Sequence, residues 1–503
     1  MKNNLGREIF EQSKPYIRSD AFEQEKRRLI AKKTTDESVV FLKSLSEAID
    51  KAGLKDGMTI SFHHHLRNGD LVINMVCDAI KKKNIRNITI AASSLFPNHS
   101  PLVEYIKDGT ITGIVTNYIN GPISKVIAEG YLKNPLIMDT HGGRARAIES
   151  GDLAIDVAFI ATPAVDKDGN GTGKFGPSAC GTLGYVIPDL LYAKKTVLVT
   201  DYLTDSIVEP ELDYHYVDYV CTVEKIGDSE GIVSGTTKIT RDPVGRKIAR
   251  DTVKILESLD LIKEGFSMQT GAGGISLAVV EYVKRIMIQK EIKARFASGG
   301  ITGQYVDMLE MGLVQNLYDV QCFDLKAARS YRENRHHIGI SASKYGNPFE
   351  ENIVVNDLDF VILGATEVDL DFNVNVTTDS LGTIIGGSGG HADTAHGAKV
   401  TIIVTNLLKA RLPIIKEKVT CVTTPGEDID IVVTERGIAI NPKRTDLIEI
   451  LSKTKLPIMP INELMNIAHN IAGIPKKLEI NNRPVGYVRY RDGSVIDTLY
   501  SVK

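Results

Sequence analysis

Short apolar runs separated by amphipathic stretches recur along most of the chain. Residues 58–62, 88–92, 111–116, 136–139, 157–161 and 196–200 are such runs, each too short for a helix. Apart from Met58-Thr-Ile-Ser-Phe62, which reads simply as a strand, they show no regular polar alternation, so the pattern predicts strands buried on both faces, as in a parallel sheet. Residues 70–83 carry Leu71, Met75, Ala79 and Ile80 at helical spacing between two of these runs. The pattern then restarts beyond a stretch punctuated by Gly227, Gly231, Gly235 and Pro243. Helices are expected over 246–259 and 278–290, and strands at 266–269, 360–363, 400–404, 419–421 and 429–434. This predicts an α/β protein with two tandem open, mostly parallel-sheet domains, residues 36–235 and 236–503. Residues 1–35, rich in Lys, Arg and Glu without apolar periodicity, read as an N-terminal arm or a helix laid against a neighbour. The restart suggests a duplicated fold, although no residue-level repeat is visible. A site is expected at loop ends between the domains, where open parallel sheets bind ligands.

Composition narrows the class. Apolar residues make up 43% of the 503 and charged residues 24%, the usage of an ordinary globular protein. A formal net charge of −3 offers no case for a nucleic acid or membrane partner. The five cysteines form no CxxC pair, so neither a disulfide framework nor a zinc ribbon is expected. No apolar run approaches the roughly 18 residues needed to span a bilayer, and the first residues form no signal-type segment. The expected location is cytoplasmic.

The candidate chemistry lies in three glycine-rich segments: Gln269-Thr-Gly-Ala-Gly-Gly274, Ala297-Ser-Gly-Gly-Ile-Thr-Gly303 and Ile385-Gly-Gly-Ser-Gly-Gly390. The first leads into a helical sequence. A glycine loop opening a helix offers bare N–H groups at a positive dipole end, where anions bind. The same donors stabilise an oxyanion developing on an acyl carbonyl, each worth about 3–4 kcal/mol when well aimed. Ser61-Phe-His-His-His-Leu-Arg-Asn-Gly-Asp70 follows a strand, and adjacent histidines suit the lining of a polyanion pocket better than a single metal site. Capping by Asn68 or Asp70 is the structural alternative. Arg144, in Thr140-His-Gly-Gly-Arg144, could hold a carboxylate bidentately or simply start a helix. His391-Ala-Asp-Thr-Ala-His396 has metal-like spacing but equally suits substrate contact or loop structure. Asp166-Lys-Asp-Gly-Asn-Gly171 reads as a hairpin turn, because Pro177 stands where a calcium loop needs Glu. Glu367 is either a base or a loop anchor. Residues 324–337 read as a helix made basic by Arg329, Arg332, Arg335, His336 and His337, either a solvated face or a dock for an acidic partner. No GxSxG elbow, Walker A loop or early GxGxxG is present.

Together, Ser61–Asp70, 162–171, 269–275, 365–370 and Gly386-Gly-Ser-Gly-Gly-His391 resemble the α subunits of citrate lyase, over almost the whole chain after the arm. More widely, the chain resembles coenzyme A transferases, whose fold is a tandem pair of open α/β domains. Many of those enzymes attack the thioester with a glutamate, and the matching place here, Ser298-Gly-Gly300, has no carboxylate. The resemblance therefore implies a ternary-complex transfer of a carrier-protein thioester from acetate to citrate. It implies no cofactor held by this chain, which would act on the phosphopantetheine-type group of an acyl carrier protein, with acetyl-CoA as surrogate. Implied partners are citrate, the carrier (γ) subunit, a citryl-cleaving β subunit and further copies of the chain. Gly273, Gly274, Ser298, Gly299 and Gly300 are then expected at the transfer point. His64, His65, Arg67, Asn68, Arg144, Ser388, Gly389, Gly390 and His391 are expected around the substrate, with no metal. Citramalate as acceptor, a non-catalytic scaffold and a metal-dependent hydrolase on His391, Asp393 and His396 are the alternatives.

Overall fold

The computed structural model describes residues 1–10, 12–20, 28–32, 39–233, 237–476, 481 and 483–502. The expected boundaries at 35/36 and 235/236 lie outside the described residues. Two large sheets dominate. In spatial order, the body of the first is Tyr219–Thr222, Lys195–Thr200, Val157–Ala161, Thr59–Phe62, Ile88–Ala92, Ile111–Thr116 and Leu136–Met138, all parallel. The second repeats this order with Ile431–Val433, Val400–Val404, Phe360–Gly364, Ser267–Thr270, Ala294–Ile301, Val314–Cys322 and His337–Gly339. The duplication expected from the restarting pattern is therefore a duplication of topology. Strands such as Ile111–Thr116 are buried at every position, which explains the absence of a polar face in their sequences.

Each sheet reverses direction beside its first long strand. Thr59–Phe62 leads to Ile88–Ala92 on one side and later to Val157–Ala161 on the other, and Ser267–Thr270 stands in the same relation to Ala294–Ile301 and Phe360–Gly364. Such switch points leave a crevice beyond the strand ends. The histidine run leaves the first crevice and the first glycine segment leaves the second. Both cross the switch with one hydrogen-bond contact: His63 Nε2 with the Ala161 carbonyl at 3.0 Å, and the Gly271 N–H to the Ile362 carbonyl at 2.8 Å.

The C-terminal hairpin, Pro484–Arg489 with Val495–Tyr500, belongs to the first sheet, although its sequence falls in the expected second domain. Pro484–Arg489 pairs in parallel with Leu136–Met138 and covers that edge. The N-terminal arm lies on this hairpin: Asn3 Nδ2 donates to the Val495 and Ile496 carbonyls, and Arg7 and Lys14 pair with Asp497 and Asp492.

Two local expectations change. Val419 and Cys421 are buried and Thr420 half-buried, but they form no strand. The N–H groups of Val419, Thr420 and Val422 go to the carboxylates of Asp369, Glu367 and Asp497 in place of a neighbouring strand. The basic helix is Leu325–Glu333, opened by Asp324, whose carboxylate accepts the Ala327 N–H at 2.8 Å. His337–Gly339 is instead the edge strand beside Val314–Cys322. Residues 166–171 form the predicted turn between Ala164–Asp166 and Gly171–Thr172.

Candidate active site

The C-terminal edges of the two sheets meet. Gln321, at the end of Val314–Cys322, donates through Nε2 to the His64 carbonyl at 2.9 Å. The Arg67 guanidinium lies over Phe96 from the first half (5.5 Å) and over Phe323 from the second (4.7 Å). The histidine loop is thus clamped between the halves.

All three glycine segments converge on one pair of side chains. Gln269, which heads the first segment, donates its amide to the Tyr345 hydroxyl at 2.8 Å and accepts the Ser298 hydroxyl at 3.0 Å. Gly299, at φ +105°, leans on the Gln269 amide, where an added Cβ would lie 2.6 Å from Nε2. Gly390 lies against the Tyr345 hydroxyl, and Gly300 against the Phe323 ring, so closely that a Cβ at either would overlap the neighbour. Gly273 is exposed at the start of the helix Gly274–Lys290, which no side chain caps. No side chain among the described residues takes up its first-turn N–H groups. Gly274 differs in having its carbonyl occupied by the Thr240 N–H.

The third segment docks on the first half. The Gly389 N–H donates to the Asn117 carbonyl at 3.2 Å, and the Gly389 carbonyl accepts the His141 N–H at 2.8 Å. Ser388 is internal to this turn, its hydroxyl accepting the Ala392 N–H at 3.3 Å. His64 stacks on Tyr185 (centroids 4.7 Å) and on His141 (5.7 Å), while its Nδ1 meets the Ser93 hydroxyl at 2.6 Å. His65 is paired with His63 through Nδ1 atoms 2.6 Å apart. Burial, reinforced by the neighbouring cations and histidines, holds His64 well below the ordinary histidine pKa, so it is a neutral ring at pH 7.

Arg67 is the cation between the two halves at the candidate site. Its backbone is left-handed at φ +50°, uncommon away from glycine. Its Nε is buried with no hydrogen-bond partner, and no carboxylate among the described residues pairs with it. Burial accordingly lowers its pKa. A desolvated cation without a counter-charge is costly and well suited to an anionic ligand.

Other expected site residues are committed to the protein. Arg144 is buried in a bidentate pair with Asp189 (2.7 and 2.8 Å) and also donates to the Ala91 carbonyl. His391 is buried with Nδ1 on Thr424 (2.8 Å) and Nε2 on the Gly364 carbonyl (3.0 Å). Asn68 is exposed, outside the ring stack. The metal-like spacing of His391, Asp393 and His396 does not converge: Asp393 contacts Thr140, Gly142 and Arg491, and His396 contacts Asp428. Glu367 is a loop anchor, receiving Lys416, Ser380, Asn375 and the Thr420 N–H. Asp319, Cys322 and His337 cluster in the core, with Cys322 Sγ and His337 Nε2 both on Asp319 Oδ2 at 2.9 and 3.0 Å. On the basic helix, Arg329 and Arg332 both pair with Glu333, which offsets one of their two charges. Sequence reading missed Tyr185, His141, Tyr345 and Gln269 as side chains of the site. His141 stood inside a motif that drew attention to Arg144, whereas isolated tyrosines carry no spacing signal.

No helix among the described residues is long and apolar enough to cross a membrane. The sequence profile of the family "Citrate lyase, alpha subunit (CitF)" matches residues 38–502. The citrate lyase alpha chain of Haemophilus influenzae is 47% identical over 461 residues, 92% of each chain, and that of Klebsiella pneumoniae is 44% identical over 92% of this chain and 91% of its own. The crystal structure of a Streptococcus mutans citrate lyase α subunit in complex with citrate superposes over all of both chains, with a TM-score of 0.95 and 43% identity. The malonate decarboxylase α subunit of Acinetobacter baumannii shares the fold alone, with a TM-score of 0.64, 14% identity and coverage of 88% and 86%. The chain belongs to the family of citrate lyase α subunits.

Proposed function

We propose that this chain is the transferase of a citrate lyase complex, exchanging acetate for citrate on the thioester of an acyl carrier protein. Beyond family membership, the observation that carries this reading is Arg67, whose Nε has no partner and whose guanidinium lies over the Phe323 ring that Gly300 abuts, in a site whose transfer segment has no carboxylate. With no carboxylate at Ser298–Gly300 and the Ser298 hydroxyl donated to Gln269, the site relies on the substrate. A citrate carboxylate, oriented by Arg67, attacks the acetyl-thioester carbonyl. A C–O bond forms, the C–S bond breaks, and the electron pair leaves with the carrier thiolate. That thiolate attacks the citryl carbonyl of the mixed anhydride, and acetate departs with the bridging oxygen. Both steps pass through an oxyanion, for which the candidate donors are the N–H groups at Gly273 and at Gly299/Gly300, where the strand Ala294–Ile301 shifts register against Val314–Cys322. Holding two anionic reactants together supplies the rest of the advantage. The phosphopantetheine-type arm belongs to the carrier, and a separate β subunit would cleave the citryl product. The expected setting is the cytoplasm.

The test is product formation by the purified chain given acetyl-carrier protein, or acetyl-CoA, with citrate and citramalate in parallel. Acetate release matched by citryl-thioester is expected. Arg67→Ala should lower kcat/KM for citrate by about 100-fold, equivalent to about 3 kcal/mol. No turnover of either acid by folded protein would overturn the reading in favour of a scaffold.

A further inference from the structure

His141 opens the helix His141–Ser150 beside the third glycine segment. Its ring is half-buried between Tyr185, at 4.3 Å between centroids, and His64. Its Nδ1 lies 3.3 Å from Oδ1 of Asn117. The other end of that amide fixes its orientation, since Asn117 Nδ2 donates to the Thr140 carbonyl at 2.8 Å. Oδ1 has only lone pairs to offer, so the ring proton of His141 sits on Nδ1. Burial and the nearby Arg144 push His141 down to about 3, so the ring is neutral at pH 7 and Nε2 is a bare acceptor. No hydrogen-bond donor among the described residues reaches Nε2. The surface beside it is Gly389, whose missing Cβ would stand 3.2 Å away.

An acceptor in a site otherwise furnished with donors asks for a proton from the ligand. At neutral pH the carboxylates of citrate only accept, and its one proton donor is the tertiary hydroxyl. We infer that His141 Nε2 accepts the hydroxyl proton of the acceptor acid and thereby selects a hydroxy-polycarboxylate over the same carbon skeleton without the hydroxyl. This rests on citrate being the acceptor. It adds a separate element of recognition: Arg67 and the glycine N–H groups read negative charge, and His141 reads the alcohol. Sites built to hydrogen-bond a substrate hydroxyl reject the analogue lacking it by large factors, because their own polar group is left unpaired.

The experiment compares citrate with tricarballylate, which has the three carboxylates and no hydroxyl, using the full chain and acetyl-CoA. The wild type should favour citrate by at least about 100-fold in kcat/KM. His141→Phe keeps an aromatic ring against Tyr185 and His64 but removes the acceptor, and the preference should fall to within about 5-fold through loss on citrate. His141→Gln, whose amide oxygen can accept, should restore part of it. Equal use of both acids by the wild type, or an equal loss on both in His141→Phe, would overturn the inference. If the wild type transfers nothing to citrate, the transferase reading fails by itself, and calorimetric binding of the two acids still decides this one. Tighter binding of citrate that disappears in His141→Phe supports it, and equal affinities overturn it. Nitrogen-15 spectra of the wild type give a check that needs no variant: a protonated Nε2 on His141 in the free chain would contradict the tautomer.

Discussion

Asp393 accepts the Arg491 guanidinium at 3.1 Å, with both side chains sealed from solvent. Asp393 lies in the helix His391–Gly397, just after the third glycine segment, and Arg491 lies in the turn of the C-terminal hairpin that joins the first sheet. The same carboxylate accepts the Thr140 hydroxyl at 2.9 Å and the Gly142 N–H at 2.8 Å. One buried anion therefore pins three pieces of the site's frame: the glycine turn, the start of the His141 helix and the hairpin. The spacing that resembled a metal motif serves instead as a clamp between the halves.

Removing that carboxylate should be expensive. Asp393→Ala leaves Arg491 a buried cation without its counter-charge, and leaves the Thr140 and Gly142 donors without an acceptor. Breaking such a pair from one side costs about 3–5 kcal/mol. The expected result is a lower urea midpoint, with transferase activity falling as the His141 helix loosens. Asp393→Asn, which keeps one acceptor, should lose less. A change below about 1 kcal/mol in the alanine variant would mean that the clamp is not energetically important.

Gly300 sets a second expectation. A Cβ there would overlap the Phe323 ring, which is also one of the two rings holding Arg67. Gly300→Val must push Phe323 aside and displace the cation. We expect at least about 100-fold loss of citrate turnover, on the scale of losing one aligned oxyanion or anion contact. Stability should change much less, because Gly300 and Phe323 are only half-buried. Steady-state kinetics alongside thermal unfolding separates the two effects. Normal turnover would remove this segment from the reaction.

The architecture was legible because parallel strands buried on both faces leave short segments with no polar face, as at Ile111–Thr116 and Val400–Val404. Residues 419–421 gave the same signal for a different reason. They pack beside Asp369, Glu367 and Asp497, and apolar periodicity does not register where a backbone N–H goes. The hairpin's place in the first sheet was hidden as well, since strand pairing between residues 136 and 486 leaves no local mark. In the site, glycines and Arg67 stood out because close approach and unpaired charge demand particular residue types. Arg144 and Asp189 show the limit of that signal: the sequence reveals a basic residue at a helix start, but not the acid 45 positions away that already occupies it. Gln269 and Tyr345 become visible only when the glycine segments are brought together around them.

The buried histidines should make the protein acid-sensitive above the pH at which carboxylates protonate. His63, His141 and His391 are pushed down to about 4, 3 and 4, in each case chiefly by burial. In the unfolded chain a histidine titrates near 6.5. As pH falls below about 6.5, the unfolded state takes up protons that these native rings refuse, so stability declines until the native rings themselves protonate near pH 4 to 3. Each ring contributes up to about 1.4 kcal/mol per pH unit, and the three together about 4. Asp369, Asp393 and Asp430, whose pKa values are raised by burial, work in the opposite direction. A comparison that changes one ring avoids that overlap. His391→Gln removes one proton site from the unfolded chain. Urea midpoints between pH 7 and 5 should therefore fall less steeply for His391→Gln than for the wild type, by up to about 1.4 kcal/mol per unit near pH 5. Identical slopes would mean that His391 carries its proton in the folded state, and its bonds to Thr424 and Gly364 would then have to be reassigned.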